Sequence, residues 1–433
     1  MYTKVIAVSD FGFINQIKNF IPLKPRVISN RVLSMHVTCF EILERLKKTG
    51  VLEYLDRMEI KPEKFPKNSI QLSEITDFNN YNSLSSEKFR YDQETGTLFT
   101  MGVITEEEGN ILKKIFPNSR DQQNIDKIIQ KSIAGSLFRW EGDKVVYNKE
   151  MFAKIKGYTV QTDHDIKIQF HFPFKDEIFR KAEVPNSAKQ IDQFLSMGRT
   201  EDHERLLKIF ISYFQAIKEN GLPSIITFHP PFVDEHENEE EIESAIVNGN
   251  KFLILLGKYI TDNNIPVVIG MENQPTPGKN GYKKGQESVG YKMDHFVKLL
   301  EGTNDSIQIT FDSGHRNIAE DMSYLGMLAY CKEAGKYIAN FHFHSNHGIL
   351  EEHIRTHTTN DEHNFPEPKL INGYSYYLLR SVLENVPLNL EIMFYNYNDD
   401  QLEHYVKHLR GELDRIYQKA NRIYYTKPDN IPE

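Results

Sequence analysis

Six apolar stretches of the sequence each end in side chains that bind divalent metals. The stretches and their terminal residues are IKIQFH (His171), SIITFH (His229), VVIGME (Glu272), IQITFDSGH (Asp312 and His315), IANFHFH (His342 and His344) and LNLE (Glu391). A further pair, Asp361 and His363, follows in a polar segment. Imidazole nitrogens and carboxylate oxygens suit zinc, manganese or iron, and the lack of thiolate ligands disfavours a structural zinc site. The pattern therefore predicts a metal-binding site.

These stretches belong to a regular alternation of strands and helices that begins near residue 160. The segment HERLLKIFISYFQAIKENG, for example, has apolar residues at three- and four-residue spacing and ends with Gly221. Alternating apolar strands and amphipathic helices indicate a parallel sheet covered by helices. A barrel of eight such units builds its active site from the C-terminal ends of its strands. The sequence therefore predicts an α/β fold, a (β/α)8 TIM barrel.

The N-terminal third supplies the first two strands of this barrel. VLSMHVT and LEYLDRMEIKP are the predicted strands, and KVIAVSD near the start is an alternative first strand. About 100 residues then break the repeat, and KFRYDQETGTLFTMGVI and LFRWEGDKVVYN within them have the pattern of β-hairpins. We predict the start of the barrel in residues 1–63, an inserted α+β subdomain between strands 2 and 3 in residues 64–160, and the remainder with the metal site in residues 161–425.

The composition is that of a soluble globular protein, with 39% hydrophobic and 26% charged residues. No stretch approaches the roughly 20 continuous apolar residues that span a bilayer, and the N-terminus lacks the features of a signal peptide. Cys39 and Cys331 form neither a disulfide framework nor a CxxC metal pattern. These features predict a cytoplasmic protein that does not interact with membranes.

Charge is unevenly distributed along the chain. The net charge of −9 argues mildly against nonspecific polyanion binding, although binding depends on local charge. The acidic run DEHENEEEIES after His229 is typical of a helix N-terminus, where carboxylates complement the helix dipole. Lys283 and Lys284 lie in a basic loop after Glu272, and they are predicted to contact substrate, with a solvated loop as the alternative.

The motifs FHFPF, FHPP, MENQ, FDSGH, FHFHSN, DEH and LEIMF, in this order and spacing, resemble those of xylose-isomerase-like TIM barrels. Within that superfamily the chain is most similar to the endonuclease IV class of AP endonucleases (family 2). The resemblance implies up to three Zn²⁺ ions, with Mn²⁺ or iron as alternatives at one or more positions. It assigns His171, His229 and Glu272 to the first ion, Glu272, Asp312, His342 and Glu391 to the second, and His315, Asp361 and His363 to the third.

The same resemblance implies an endonuclease that hydrolyses a phosphodiester in DNA, at an abasic or otherwise damaged or modified strand. A metal-activated water attacks phosphorus in line in such reactions. Glu272 and Glu391 are the predicted catalytic residues. Phe174, three residues after His171, corresponds to an aromatic residue that family members insert into the duplex, and ordinary rim packing is its alternative role.

Two departures from the family pattern leave ligand assignments open. His344 competes with His342, because strand alternation places both on one face. The segment NFPEPKLING replaces the glycine-rich segment that usually follows the Asp-x-His pair. His347, His353 and His357 lie in the same polar region and are alternative ligands for the third ion.

Two other functions remain open at this point. A sugar or sugar-phosphate isomerase or epimerase would need only Glu272, Asp312, His342 and Glu391 around a single Mn²⁺ or Co²⁺. The surplus ligands His171, His229, Asp361 and His363 favour hydrolysis over isomerisation. A non-catalytic barrel that binds nucleic acid or protein through its insertion is the second alternative. The oligomeric state is not indicated by the sequence.

Overall fold

The computed structural model describes most of the chain. The described residues are 28–61, 65–84, 89–104, 106–141, 144–159, 166–172, 196–222, 224–233, 238–276, 287–319, 324–347, 362–371 and 373–425. The alternative first strand KVIAVSD lies outside them.

The described strands are numbered in chain order. They are β1 (Leu33–Val37), β2 (Arg57–Ile60), β3 (Lys67–Gln71), β4 (Phe89–Asp92), β5 (Thr97–Met101), β6 (Phe138–Glu141), β7 (Lys144–Tyr147), β8 (Lys167–His171), β9 (Ser224–Phe228), β10 (Phe232–Val233), β11 (Val267–Glu272), β12 (Glu287–Ser288), β13 (Ile307–Asp312), β14 (Ile338–His342) and β15 (Leu388–Leu390).

The described α-helices are numbered in the same way. They are α1 (Phe40–Lys48), α2 (Phe78–Ser83), α3 (Glu106–Ile115), α4 (Ser119–Ala134), α5 (Lys149–Thr159), α6 (His203–Glu219), α7 (Glu239–Asp262), α8 (Met293–Leu300), α9 (Ser313–Asn317), α10 (Tyr324–Ala334), α11 (Tyr374–Glu384) and α12 (Asp399–Tyr425). Short 3-10 helices cover Val51–Tyr54, Thr200–Asp202 and Phe394–Asn396. None of the helices in the described part of the chain has the length and apolar character needed to cross a membrane.

Eight parallel strands close into a barrel, in the order β1-β15-β14-β13-β11-β9-β8-β2. Helices follow most of these strands, and together with the strands they bury one large hydrophobic core. The predicted (β/α)8 barrel is confirmed, with β1 and β2 in the segments predicted for the first two strands. Because all eight strands run in the same direction, their C-terminal ends meet at one mouth.

The segment between β2 and β8 contains antiparallel structure. Strands β3, β5 and β4 form a three-stranded sheet, and β6 pairs with β7. Both hairpins were predicted, whereas β3 was not, because the sequence KNSIQ has no strong apolar pattern. A separate set of buried side chains, here called the second cluster, comprises Leu72, Leu84, Phe89, Leu98, Ile104, Leu112, Ile115, Phe116, Ile125 and Ile128.

The β6–β7 hairpin packs with the barrel rather than with the second cluster. Phe138 on β6 and Phe152 on α5 lie in the main core, and both rings contact Phe170 of β8. All buried residues of the second cluster therefore precede the β6–β7 hairpin in the chain. The division of the chain into domains at residues 63 and 160 stays a prediction.

The acidic run after His229 starts a long helix, as its composition indicated. Asn238 precedes α7, and its side-chain oxygen accepts a hydrogen bond from the backbone N–H of Glu241 at 3.2 Å. Glu239, Glu240 and Glu241 occupy the first turn, where their charges complement the helix dipole. The described part of the acidic run thus belongs to the first turn of the helix that precedes β11 in the chain.

Candidate metal centre

The strand ends place six candidate ligands around the barrel mouth. His171, Glu272, Asp312 and His342 are the last residues of β8, β11, β13 and β14. His229 and Glu391 follow β9 and β15 by one residue. The side chains of His229 and Glu391 are 15% and 13% exposed, and the other four are almost fully buried. Sequence analysis predicted all six as ligands, and the fold brings them together.

Glu272 lies between two sets of these residues. Its Oε2 atom is 3.3 Å from Nε2 of His171 and 2.9 Å from Nε2 of His229. Its Oε1 atom is 2.8 Å from Nδ1 of His342 on the other side. One carboxylate thus directs its two oxygens toward two different ligand groups, which is the arrangement that a bridging carboxylate needs.

The central group consists of Glu272, Asp312, His342 and Glu391, whose ligand atoms all lie within 4.8 Å of one another. Nδ1 of His342 lies 2.8 Å from Oε2 of Glu391 and 3.6 Å from Oδ2 of Asp312. A further group of His171, His342 and Glu391 overlaps this one and the His171–His229–Glu272 group. The groups therefore form one continuous cluster rather than separate sites.

A third group forms around Asp312, His315 and His344. Nε2 of His344 lies 3.0 Å from Oδ1 of Asp312, and Nδ1 of His315 lies 3.8 Å from Oδ2 of the same carboxylate. Asp312 also accepts a hydrogen bond from the backbone N–H of His315 at 2.7 Å, which fixes the turn between them. Asp312 is thus shared between the central group and the third group.

The structure separates the roles of His342 and His344, which the sequence left in competition. His342 belongs to the central group and His344 to the third group, and Asp312 is a member of both. Close approach requires Gly314, because a Cβ atom at this position would lie 1.9 Å from the His344 ring. The glycine of the FDSGH motif thereby admits the second histidine.

Some predicted site residues are not tested by these contacts. The ring of His363 stacks on that of His344 with centroids 4.2 Å apart, and its Nδ1 lies 3.0 Å from the backbone oxygen of Glu391. Its partner Asp361 lies outside the described residues, as do Phe174, Lys283, Lys284, His353 and His357. Nδ1 of His347, an alternative ligand for the third ion, lies 2.5 Å from Oε2 of Glu362.

Neighbouring imidazoles keep the carboxylates ionised. Burial by itself would raise the pKa of Glu272, Asp312 and Glu391. At Glu272 and Glu391 the charge of His342 and the contacts with other neighbouring side chains together outweigh burial and hold the pKa well below its usual value. At Asp312 the charge of His315 acts in the same way, and the pKa is lowered to about 2. All three side chains are therefore negatively charged at neutral pH.

The imidazoles of the cluster differ in the direction of their pKa shifts. Burial lowers the pKa of His171 to about 3 and also lowers that of His229, so both are neutral at pH 7. Burial disfavours the charged form of His342 as well, but the carboxylates of Glu59 and Glu272 outweigh it and raise its pKa well above the usual value. In the metal-free protein the His342 imidazolium therefore balances charges that a bound cation would balance.

The donor set fits divalent metals. Ionised carboxylates and neutral imidazoles are the protonation states in which these side chains bind metals. Nitrogen and oxygen donors without thiolates suit zinc, manganese or iron, so the residues present do not select one of them.

Three residues near the site were not predicted from the sequence. Nδ1 of His36, on β1, lies 3.1 Å from Oε1 of Glu391, and Nζ of Lys61, which follows β2, lies 3.4 Å from the same atom. Oε2 of Glu59, on β2, lies 2.9 Å from Nε2 of His342. The apolar stretches around His36 and Glu59 carry the signal used elsewhere, a metal-binding side chain within a strand.

Comparison with known proteins yields similarity in fold. No protein-family model matches the sequence, and neither does any curated protein. A solved D-tagatose 3-epimerase-like protein is 15% identical, with 63% of this chain and 86% of that chain covered and a TM-score of 0.44. A Thermus thermophilus protein soaked with ZnCl2 is 14% identical, with coverage of 61% and 84% and a TM-score of 0.37. SacUVDE is 14% identical, with coverage of 86% and 84% and a TM-score of 0.32. At these identities the likeness extends to the barrel fold alone.

Proposed function

We propose that the protein is a metal-dependent phosphodiester hydrolase that acts on DNA with an abasic site or another damaged or modified nucleotide. The observation that supports this most is the sharing of carboxylates between ligand groups. Glu272 joins His171 and His229 to the central group, and Asp312 joins His315 and His344 to it. Linked ion sites are used in phosphodiester hydrolysis, where both the attacking and the leaving oxygen are stabilised.

The ligands have distinct tasks in this proposal. Divalent ions, when bound, supply Lewis acidity that activates water and neutralises charge on phosphoryl oxygens. Glu272 and Asp312 would each help to hold two neighbouring ions, and the buried imidazoles would complete each group. Glu391 closes the central group from the β15 side, with its Oε1 atom directed to His36 and Lys61.

Lys61 adds a positive charge at the β2 side of the mouth. Its side chain is 22% exposed, so its ammonium group lies between the buried ligands and solvent. An ammonium group is a point-charge partner for phosphate oxygens. We infer that Lys61 contacts the phosphate of a DNA strand at the mouth.

A second candidate function is isomerisation or epimerisation of a small sugar. The central group of Glu272, Asp312, His342 and Glu391 assembles as a complete four-ligand set for one Mn²⁺ or Co²⁺ ion. In that case Glu272 and Glu391 would move a proton between adjacent carbons. This function leaves His171, His229, His315 and His344 without a metal role, and the two functions therefore differ in the number of ions bound.

The test is a substrate panel with the metal-loaded protein. The panel contains a duplex with one abasic site, the same duplex without it, bis(p-nitrophenyl) phosphate, and aldose and ketose sugars, each with Zn²⁺ or Mn²⁺. We expect cleavage of the abasic duplex that chelation abolishes. We expect Glu272→Gln to lose it and Glu204→Gln, an exposed carboxylate on α6, to retain it. Interconversion of sugars without cleavage of any phosphodiester would show that the proposal is wrong.

A further inference from the structure

Below the metal ligands, the barrel interior is polar where such barrels usually pack branched apolar side chains. Six side chains from six strands form a layer that we call the floor, namely Glu59, Gln169, Thr227, Thr310, Asn340 and Asn389. All six are at most 1% exposed. Burying polar groups costs free energy unless they are hydrogen-bonded, so the contacts within the floor need an explanation.

Glu59 is the centre of this floor. Its Oε1 atom accepts hydrogen bonds from Oγ1 of Thr227 at 2.9 Å and from Nδ2 of Asn340 at 3.0 Å. Nε2 of Gln169 approaches the same atom at 3.4 Å. Its Oε2 atom accepts a hydrogen bond from Nδ2 of Asn389 at 2.5 Å. Donors from four other strands thus fix the position of one carboxylate.

Glu59 also contacts the central ligand group, and its Oε2 atom lies 3.9 Å from Nδ1 of His36. Oε2 of Glu59 lies 2.9 Å from Nε2 of His342, while Nδ1 of the same ring lies 2.8 Å from Oε1 of Glu272 and 2.8 Å from Oε2 of Glu391. The Nε2–Oε2 pair is within ion-pair distance but lacks the geometry of a hydrogen bond, whereas Nδ1 is hydrogen-bonded to Glu272. If an ion takes the place of the hydrogen on Nδ1, the remaining ring hydrogen lies on Nε2, beside the Glu59 carboxylate. The ring is therefore oriented with Nδ1 toward the proposed ion.

We propose that Glu59 is a positioning residue, which holds His342 in the tautomer and orientation that binds the central ion through Nδ1. This inference rests on the proposed metal centre and adds a residue outside its ligand set. Carboxylates that hold ligand histidines from behind fix the ring and increase its basicity, and their loss costs about 10–100-fold in metal affinity.

Glutamine cannot replace Glu59 without consequence, although it has the same shape. The groups around the carboxylate in the floor include three side-chain amides, a hydroxyl and the His342 ring. If the new amide nitrogen faces His342, Nε2 of the ring must accept and the ring hydrogen moves to Nδ1, where it blocks the metal. If the new amide nitrogen instead faces Asn340 and Gln169, it meets the amide N–H donors of those two side chains. Their hydrogen bonds to residue 59 are then lost from the floor.

The first test compares metal binding of Glu59→Gln with that of the unmodified protein and of Glu108→Gln. Glu108 is a matched control, because it is a buried carboxylate on α3, away from the barrel mouth. Titration against a chelating dye and the visible spectrum of bound Co²⁺ are the measurements. We expect Glu59→Gln to bind the central ion 10–100-fold more weakly with an altered Co²⁺ spectrum, and Glu108→Gln to leave both unchanged. Unchanged affinity and spectrum in Glu59→Gln would overturn the proposal.

The second test needs no change to Glu59 and so does not depend on how that variant folds. Nitrogen NMR of the Zn²⁺-loaded protein labelled with ¹⁵N-histidine reports which ring nitrogen carries hydrogen, and His342→Gln assigns the signal. We expect hydrogen on Nε2 of His342 and metal on Nδ1, and the reverse pattern would overturn the proposal. A protein that binds ions in this way but cleaves no phosphodiester would contradict only the proposed function, and one that binds no ion would contradict both.

Discussion

In the second cluster, Leu98, Leu112, Ile115 and Phe116 are fully buried in an apolar interior, whereas the barrel mouth buries carboxylates and imidazoles. The cluster is stabilised by removing apolar surface from water, at roughly 25 cal/mol per Å². The mouth brings like charges together, which destabilises the fold unless a cation lies between them. The stability of the second cluster should therefore be independent of metal, whereas the stability of the mouth should depend on it.

The largest expected effect is that of Glu272→Gln. This change removes the carboxylate that joins two ligand groups, so we expect two ions to be lost and cleavage to fall by on the order of 10³-fold, since metals supply several kcal/mol of transition-state stabilisation. Elemental analysis and the rate of cleavage of an abasic duplex are the measurements. Full metal content in this variant would mean that Glu272 is not a bridging ligand.

Phe116→Ala tests the other side of the comparison. Phe116 is fully buried in the second cluster, and removal of a buried aromatic ring costs about 3–5 kcal/mol. We expect the free energy of unfolding, from urea denaturation followed by circular dichroism, to fall by about this amount. Metal content should stay the same, and a loss of ions would show that the two regions are coupled.

Gly314→Ala should affect one ligand group only. The added Cβ atom would lie 1.9 Å from the His344 ring, so the ring must move, at a cost of about 1–3 kcal/mol. We expect weaker binding of the third ion, with the other two retained. Gly157→Ala is the matched control, because a Cβ atom there has no heavy atom within 4 Å. Equal metal affinities in the two variants would argue against His344 as a ligand.

The smallest expected effect concerns a buried histidine outside the ligand groups. Burial, and then the charge of Lys292, lower the pKa of His295 to about 4, and its Nδ1 atom accepts a hydrogen bond from the backbone N–H of Gly290 at 3.2 Å. In the unfolded chain His295 binds a proton near pH 6.5, whereas in the folded protein it does so only near pH 4. The contribution of neutral His295 to the free energy of unfolding is therefore fully present above pH 6.5 and is lost as pH falls toward 4.

His295→Asn cannot titrate and is the test of this contribution. Its free energy of unfolding should fall less between pH 7 and pH 4.5 than that of the unmodified protein, by on the order of 1 kcal/mol after allowance for solvent screening. An identical decrease in both proteins would show that His295 does not contribute to the loss of stability at low pH.

The sequence predicted the barrel because its strand–helix alternation is regular after residue 160. It also predicted that six strand-end side chains lie together at the mouth, because His, Glu and Asp at the ends of apolar strands have few roles in ordinary packing, and their role as ligands stays a prediction. It did not predict Glu59, which lies between the apolar Met58 and Ile60 in a short strand. The contacts of Glu59 come from four other barrel strands, and only closure of the barrel brings those strands together.

His344 shows a different limit of sequence analysis. Strand alternation indicated that His342 and His344 share a face, and this left one to be preferred over the other. The strand ends at His342, and the two histidines join different groups that share Asp312. The membership of the two histidines in different groups depends on the position of the neighbouring strand β13, which the residue spacing within one motif does not specify.

The number of ions bound per chain shows most directly whether the cluster at the mouth is a linked metal centre. The protein is loaded with Zn²⁺ or with Mn²⁺, desalted and analysed for ions per chain, alongside Glu272→Gln. Glu272 links His171 and His229 to the central group, and Asp312 links that group to His315 and His344, so we predict about three ions per chain and about one in Glu272→Gln. A single Mn²⁺ per chain would contradict it and would favour the isomerase.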